Sequence, residues 1–506
     1  MRYRSNLKAF ALAIALSSTL LSSSAFAADD SIDVAGPFEI KGADPSLSGN
    51  IFLAMDVAET LVNTDQDGRL TPGLAASWAV ESDGLVWRFK MQDGAQFHDG
   101  TPADAAAAAN ALNIARGKPG LLQRAPIEAI EADGADLVVK LKEPFAALPA
   151  FLAEYRSQIL APASYGADGM ATSVIGSGAY KITLLQAPGK MEADRFDQYW
   201  GGPAKIGKAT YNSVSRAETR ALMAESGDAD YVLNLDPASV ARLKDKEGLD
   251  VRSVPIPRSL LVKVNSANPK LNTVEARKAL SLAIDREGLA IAVLRYQAGA
   301  TQLFPPSVGD WHNAALAPLS YDPEAAAALL AELGWKAGSD GILEKDGERF
   351  TLELLTYPDR PELPLVAAVL QQQLQEVGIE LTINSTNSSE IPARHNDGSL
   401  ELALLARNFA LVPNPIGTLL QDYAPNGDWG AMNWQNTEIA DLLKSIGRNG
   451  GSAEQFATAT AILQEELPVL PIAWYQQNAA ISGKLQGAIL DPYERKLGLK
   501  DASWKN

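Results

Sequence analysis

The chain contains no cysteine and only three histidines among its 506 residues. The first absence excludes a disulfide framework, a thiolate metal site and a cysteine nucleophile. It also leaves no residue to carry a lipid at the end of a leader. His98, His312 and His395 are scattered, so there is no His-Glu-x-x-His zinc motif, and no Gly-x-Ser-x-Gly elbow occurs. His98 lies in a Phe-His-Asp-Gly turn, where a structural role is expected. No apolar run long enough to span a bilayer follows residue 27. Internal repeats and low-complexity linkers are missing too. Positive charge is in short supply: 44 lysines and arginines face 61 acids, a net charge of −17. Such a surface argues against nucleic acid and anionic lipid as partners. The sign inside a binding cleft is a separate matter.

The length and the 46% hydrophobic content suffice for a large core and two or three domains. Residues 1–27 have the form of a secretory signal peptide. Arg2, Arg4 and Lys8 form a basic start, Phe10 to Leu21 is apolar, and Ala25-Phe26-Ala27 is a small-residue cleavage site. Removing that leader takes away three basic residues and no acidic one, so the mature net charge is −20. The mature chain is expected to begin near Ala28, exported and lipid-free, in a Gram-negative periplasm.

The stretch Leu70 to Asp104 organises the reading of the remainder. Leu85, Trp87 and Phe89 alternate with polar neighbours, as in a half-buried strand. Ser82-Asp83-Gly84, Asp93-Gly94 and Asp99-Gly100 supply turns. Thr101 is expected to cap a helix with Pro102 at its first position. Asn63, Asp65, Asp67 and Gly68 imitate half of a calcium loop, but Leu74 stands where the bidentate acid belongs, so a hairpin is expected. Asp136 to Leu141 reads as a strand. Asp322-Pro323 opens a helix that Gly334 closes. Phe350 to Thr356, Leu365 to Val377 and Ile379 to Ile383 give a strand–helix–strand rhythm, the mark of an α/β unit. Gly176-Ser177-Gly178 lacks the further glycine or lysine of a nucleotide loop. No cofactor is expected, and no cluster of His, Cys or carboxylates has metal spacing.

Several segments together carry a family likeness. Pro72-Gly73-Leu74-Ala75, the Asp83 to Pro102 passage, Tyr199-Trp200-Gly201-Gly202-Pro203, Ala276 to Leu289 (ARKALSLAIDREGL), Tyr321 to Trp335 (YDPEAAAALLAELGW) and Pro468 to Tyr475 (PVLPIAWY) resemble the extracytoplasmic solute-binding proteins of peptide- and nickel-type ABC importers, known as family 5. The likeness runs over essentially the whole mature chain. It implies an α/β fold of the type II periplasmic-binding-protein kind: two lobes joined by a hinge, the first lobe carrying an extra subdomain. The lobes would be residues 28–265 with the subdomain at about 75–175, then 266–475, with 476–506 returning to the first. The change of lobe is expected near Val262 to Asn265 and the return near Pro468 to Trp474. The implied role is a periplasmic receptor, monomeric and not an enzyme, handing a small polar ligand to an inner-membrane permease and its ATPase.

The resemblance also points to a site. Arg156 lies near the place where metallophore-binding members carry a ligand-carboxylate arginine, and a planar guanidinium suits a carboxylate. Arg407 and Phe409 fall where nickel-binding members place an arginine and a cleft aromatic. The loop from Tyr423 to Asn436 resembles the family's cleft loop, with Tyr423, Trp429 and Asn433 as candidates and Trp429 the exposed tryptophan. Val412-Pro413-Asn414-Pro415 lacks the acid that dipeptide binders use for the ligand's amino terminus, and Leu411 to Asn436 contains no histidine. A peptide, an opine or a metal chelate bringing its own carboxylates fits this set. A general oligopeptide receptor, a sensor or chaperone, and a periplasmic hydrolase on the same scaffold are the alternatives.

Overall fold

The computed structural model describes residues 30–505 apart from 359, 411, 413, 426 and 428; the expected leader lies outside the described residues. A ten-stranded mixed sheet organises the chain. Its strands are β1 (Ser31–Gly36), β2 (Tyr180–Gln186), β3 (Lys190–Arg195), β4 (Lys208–Ser213), β5 (Tyr231–Leu233), β6 (Leu249–Val264), β7 (Thr351–Thr356), β8 (Glu380–Ser385), β9 (Leu402–Asn408) and β10 (Val469–Ser482). The spatial order is β2-β3-β4-β1-β5-β10-β6-β9-β7-β8. At one end β1 runs parallel to β4 and β5, and at the other β7 runs parallel to β8 and β9. Each end is therefore an α/β unit, and the antiparallel pair β6 and β10 joins them. This is the two-lobe architecture.

The joint has a chemical cause. The β6–β10 ladder runs unbroken from Leu249 opposite Ser482 to Pro255 opposite Gln476, then slips before resuming at Ser259 opposite Trp474. Pro255 and Pro257 have no N–H to give to a ladder, so the pairing fails at that point and the strand can bend. Val262, Lys263 and Val264 pair regularly with Leu404, Ala403 and Leu402 of β9. Before the slip β6 is mostly solvated; from Ile256 to Val264 every residue is buried, as a central strand covered on both faces must be.

A separate four-stranded antiparallel sheet is made of Ala75–Val80, Val86–Met91, Asp136–Leu141 and Ile127–Asp133 in spatial order. Trp87 and Phe89 of its second strand are buried, in line with the alternation read from the sequence. The helix that follows, however, spans Ala105–Ala115 and is capped by Asp104, whose carboxylate accepts from the Ala107 N–H. Thr101 is diverted: its N–H and hydroxyl both donate to Asp99 Oδ1, closing a side-chain turn. Asp65 likewise accepts from the N–H groups of Asp67 and Arg69 and closes the hairpin Val62–Thr64/Leu70–Pro72. Helices α1 (Pro45–Ala54, capped by Asp44), α2 (Pro323–Glu332, capped by Asp322) and α3 (Glu362–Glu376) matter below.

Candidate functional site

The ladder slip frees the residues around it for a cluster that joins the lobes. Arg258, at the slip and 6% exposed, donates through Nη1 to Glu494 Oε1 at 3.2 Å and through Nη2 to Oε2, a fork on a carboxylate. Glu494 belongs to the C-terminal segment that returns to the first lobe, and its backbone is left-handed at φ 57°. The same carboxylate accepts from Asn408 Nδ2 at 3.3 Å, at the end of β9 in the second lobe. Tyr475, unpaired at the slip, lies under two cations: the Arg258 guanidinium is 5.5 Å and that of Arg360 5.2 Å from its ring centre. Arg360 Nη1 also donates to the Tyr475 hydroxyl at 3.3 Å. Burial, and then the charge of Arg360, pull the Arg258 pKa below its ordinary value. Arg360 itself has no carboxylate within salt-bridge distance among the described residues.

Two further arginines stand near Glu494. Arg495 is 3% exposed, and none of its three side-chain nitrogens has a hydrogen-bond partner among the described residues. Burial pushes its pKa down to about 10, against the attraction of Asp491 and Glu154. Arg156 Nη2 donates to the Tyr155 hydroxyl at 2.7 Å, and Nη1 lies 3.5 Å from the buried Glu154. The acids that act on these four arginines are Glu154, Glu362, Asp491 and Glu494. A cavity of about 490 Å³, the size of small-molecule sites, lies between Gly68 and Tyr493 on one side and Pro306, Trp311 and Asn414 on the other, and none of the four arginines lines it.

The residues expected from the sequence are distributed differently. Strand register pairs Arg258 with Asn408 and Ser259 with Arg407, so Arg407 emerges on the opposite face of the sheet from the Arg258–Glu494 cluster. There it is already matched: Nε and Nη2 donate to the two oxygens of Asp422 at 2.6 and 2.5 Å, and the guanidinium rests over Trp429 at 5.8 Å. Its guanidinium thus has partners within the protein. Phe409 is fully buried with its ring 4.9 Å from that of Phe304, a core contact in place of a cleft aromatic. Tyr423 is buried as well, edge-on to Trp434. Trp429 is half-buried, Trp434 donates to Glu466, and Asn433 is exposed with its amide on Asn265 Oδ1 at 2.9 Å. Of the six, Arg156 alone adjoins the arginine cluster.

Arg258, Arg360, Tyr475 and Arg495 went unnoticed in the sequence. The signals were faint: two prolines before Arg258, a loop opening α3 at Arg360, and a charged run around Arg495 that reads as surface. The remaining histidines are structural. His98 Nε2 donates to the Gly178 carbonyl at 3.0 Å and His312 Nδ1 to that of Phe304 at 2.8 Å. Among the described residues no group of three His, Cys, Asp or Glu has metal-binding geometry, and no helix is long and apolar enough to cross a membrane.

Residues 69–429 match the model of the bacterial extracellular solute-binding proteins, family 5. The glutathione-binding protein GsiB of Escherichia coli O157:H7 is 26% identical over 95% of this chain and 96% of its own length. The nickel-binding periplasmic protein of Escherichia coli K12 is 30% identical over 74% of each chain. In structure, NikA of Staphylococcus aureus, solved in complex with Ni(L-His)2, superposes with a TM-score of 0.81 at 21% identity, covering 94% of this chain and all of that one. The chain belongs to the family 5 solute-binding proteins.

Proposed function

We propose that this family 5 solute-binding protein captures a small solute bearing at least one carboxylate, holds it between the lobes beside the hinge, and delivers it to an inner-membrane ABC permease and its ATPase. The observation that carries the reading is Arg360: a half-buried, permanently charged fork braced on Tyr475, with no carboxylate in salt-bridge distance among the described residues and Glu362 and Glu494 acting on it only from farther away. A ligand carboxylate would give that fork two parallel, charge-assisted hydrogen bonds. The names of relatives that bind glutathione and nickel, and the histidine complex of a structural neighbour, support a peptide, an opine or a chelate as cargo. Residues 28–265 and 476–506 would form one lobe, with a subdomain near 75–175, and residues 266–475 the other. The protein would work as a periplasmic monomer after loss of residues 1–27, with Arg156 as a second carboxylate contact.

Native mass spectrometry of the protein from its own periplasm, followed by the denatured spectrum, is the direct test. One co-purified acid of defined mass supports the reading, and a metal isotope pattern makes it a chelate. A ladder of peptide masses moves the reading to a general oligopeptide receptor, and conversion of added ligand would make it a hydrolase. Arg360→Ala should then weaken binding of the identified ligand about a hundredfold, with the melting temperature unchanged. Undiminished affinity in that variant would remove Arg360 from the site.

A further inference from the structure

The four-stranded sheet and the helix Ala105–Ala115 are tied to α1 of the first lobe. Asp44, the cap of α1, accepts from the Lys118 ammonium and, at 2.8 Å, from the Ala171 N–H. Gln158 Nε2 donates to the Gly49 carbonyl of α1 at 2.8 Å in a buried site. The chain between Leu141 and Gln158 also reaches the other way. It lies on two helices that follow β9, Ile416–Tyr423 and Thr437–Asn449. The first of these is held to β9 by the Arg407–Asp422 pair, so it belongs with the second lobe.

The junction is polar at its surface and apolar inside. The Ala146 N–H donates to the carbonyls of Gly447 and Arg448 at 3.1 and 3.2 Å. These are among the last carbonyls of their helix, which have no partner within it. Arg448 donates to Glu143 Oε2 through Nη2 and, at 3.0 Å, through Nε. Beneath that pair, two glycines let side chains of the opposite surface come close. A Cβ on Gly417 would lie 2.9 Å from Phe151 Cζ and 3.1 Å from both Leu121 methyls, and one on Gly447 would lie 3.2 Å from Phe145 Cε2. Leu121, Phe145, Phe151, Ile416 and Ile446 are all buried.

The lobes are therefore joined in two ways. At the ladder slip the backbone itself crosses, and two prolines let it bend. At the second junction no covalent link crosses, so a hinge motion that parts the lobes there must pull the two surfaces away from each other. Parting them would bring apolar rings into water and strip two helix-end carbonyls of their donor, which opposes opening with or without cargo.

We infer that this junction is a clasp: it holds the lobes together independently of cargo, so that the protein rests closed, and cargo exchanges only when the clasp parts. The inference uses neither Arg360 nor the identity of the cargo.

The chain has no cysteine of its own, so nitroxides can be attached at Lys142→Cys and Asn449→Cys, exposed positions on either side of the junction. Electron paramagnetic resonance on the full mature chain, freed of cargo by unfolding and refolding, should report one short, narrow distance between them. Gly447→Leu drives a side chain into the Phe145 contact while leucine favours the helix more than glycine does. It should add a longer distance and raise the open-to-closed ratio about 5- to 150-fold. Arg448→Glu, which sets two like charges against each other at the surface, should raise that ratio by up to about fivefold. Adding Glu143→Arg should bring it back, an outcome that requires the two residues to meet across the junction; this exchange decides the matter if Gly447→Leu does not fold. A long distance in the cargo-free protein would overturn the clasp, and so would a short one that neither the wedge nor the charge reversal lengthens. No ligand enters the experiment, so its failure leaves the carboxylate reading where it stands.

Discussion

Arg407 decides whether a charge at a strand end is cargo machinery or architecture. Its side chain is 11% exposed and that of Asp422 0%, and they meet through two hydrogen bonds on the same carboxylate. The Asp422 backbone also anchors the loop behind it: its carbonyl accepts from the Ala431 N–H, and Gly430 passes so close that a Cβ there would lie 2.4 Å from Asp422 Cβ. Arg407→Met keeps the apolar stem and removes the fork, leaving a carboxylate buried without its cation. Breaking such a pair costs about 3–5 kcal/mol. For a lobe of roughly 200 residues each kcal/mol lowers the melting temperature by about 2–4 °C, so a fall of roughly 10 °C is expected by calorimetry. Ligand affinity measured well below the transition should change less than about threefold, because Arg407 leaves the sheet on the face away from Arg360. The double variant Arg407→Met, Asp422→Leu should regain much of the loss, since an apolar pair of similar volume replaces a buried ion pair at little cost. An unchanged melting temperature combined with lost binding would refute the argument and return Arg407 to the cargo site.

Two other outcomes follow from the same contacts. Glu494→Gln leaves a neutral acceptor for Arg258 and Asn408, so the lobes should be held together less firmly; affinity should fall about tenfold, and small-angle scattering of the loaded protein should report a wider particle. An unaltered profile and affinity would show that Glu494 plays no part in closure. His98 is held neutral by burial, its pKa lowered from 6.5 to about 4, with Nδ1 lacking a hydrogen-bond partner among the described residues and Nε2 donating to Gly178. Between those two values the unfolded chain binds more protons than the folded one, so this contribution is complete above pH 6.5 and is lost as the pH falls towards 4. The shift corresponds to about 3 kcal/mol, and His98→Gln should flatten that part of the stability curve; a His98 ring titrating near 6.5 in the folded protein's NMR spectrum would contradict it.

Local chemistry was legible in the sequence, and so was the family. Asp322-Pro323 opens its helix, Asp136 to Leu141 forms its strand, and the Asp65 turn closes a hairpin, because caps, alternation and turn residues act within a few positions of themselves. The ordered segments from Pro72 to Tyr475 carried the family likeness, and with it the two-lobe fold, by their wording along the whole chain. Thr101 shows the limit of that locality: a neighbouring aspartate captured its hydroxyl and the cap passed to Asp104. The cargo site needed more. Arg407 lies near the end of its strand, but pleating sends successive side chains to opposite faces, and Asp422, fifteen residues on, holds its guanidinium. Arg258, Arg360, Tyr475 and Glu494 come from four distant parts of the chain. They meet only because two prolines break one ladder in the middle of a ten-stranded sheet, and a long-range register of that kind is set by the packing of both lobes together.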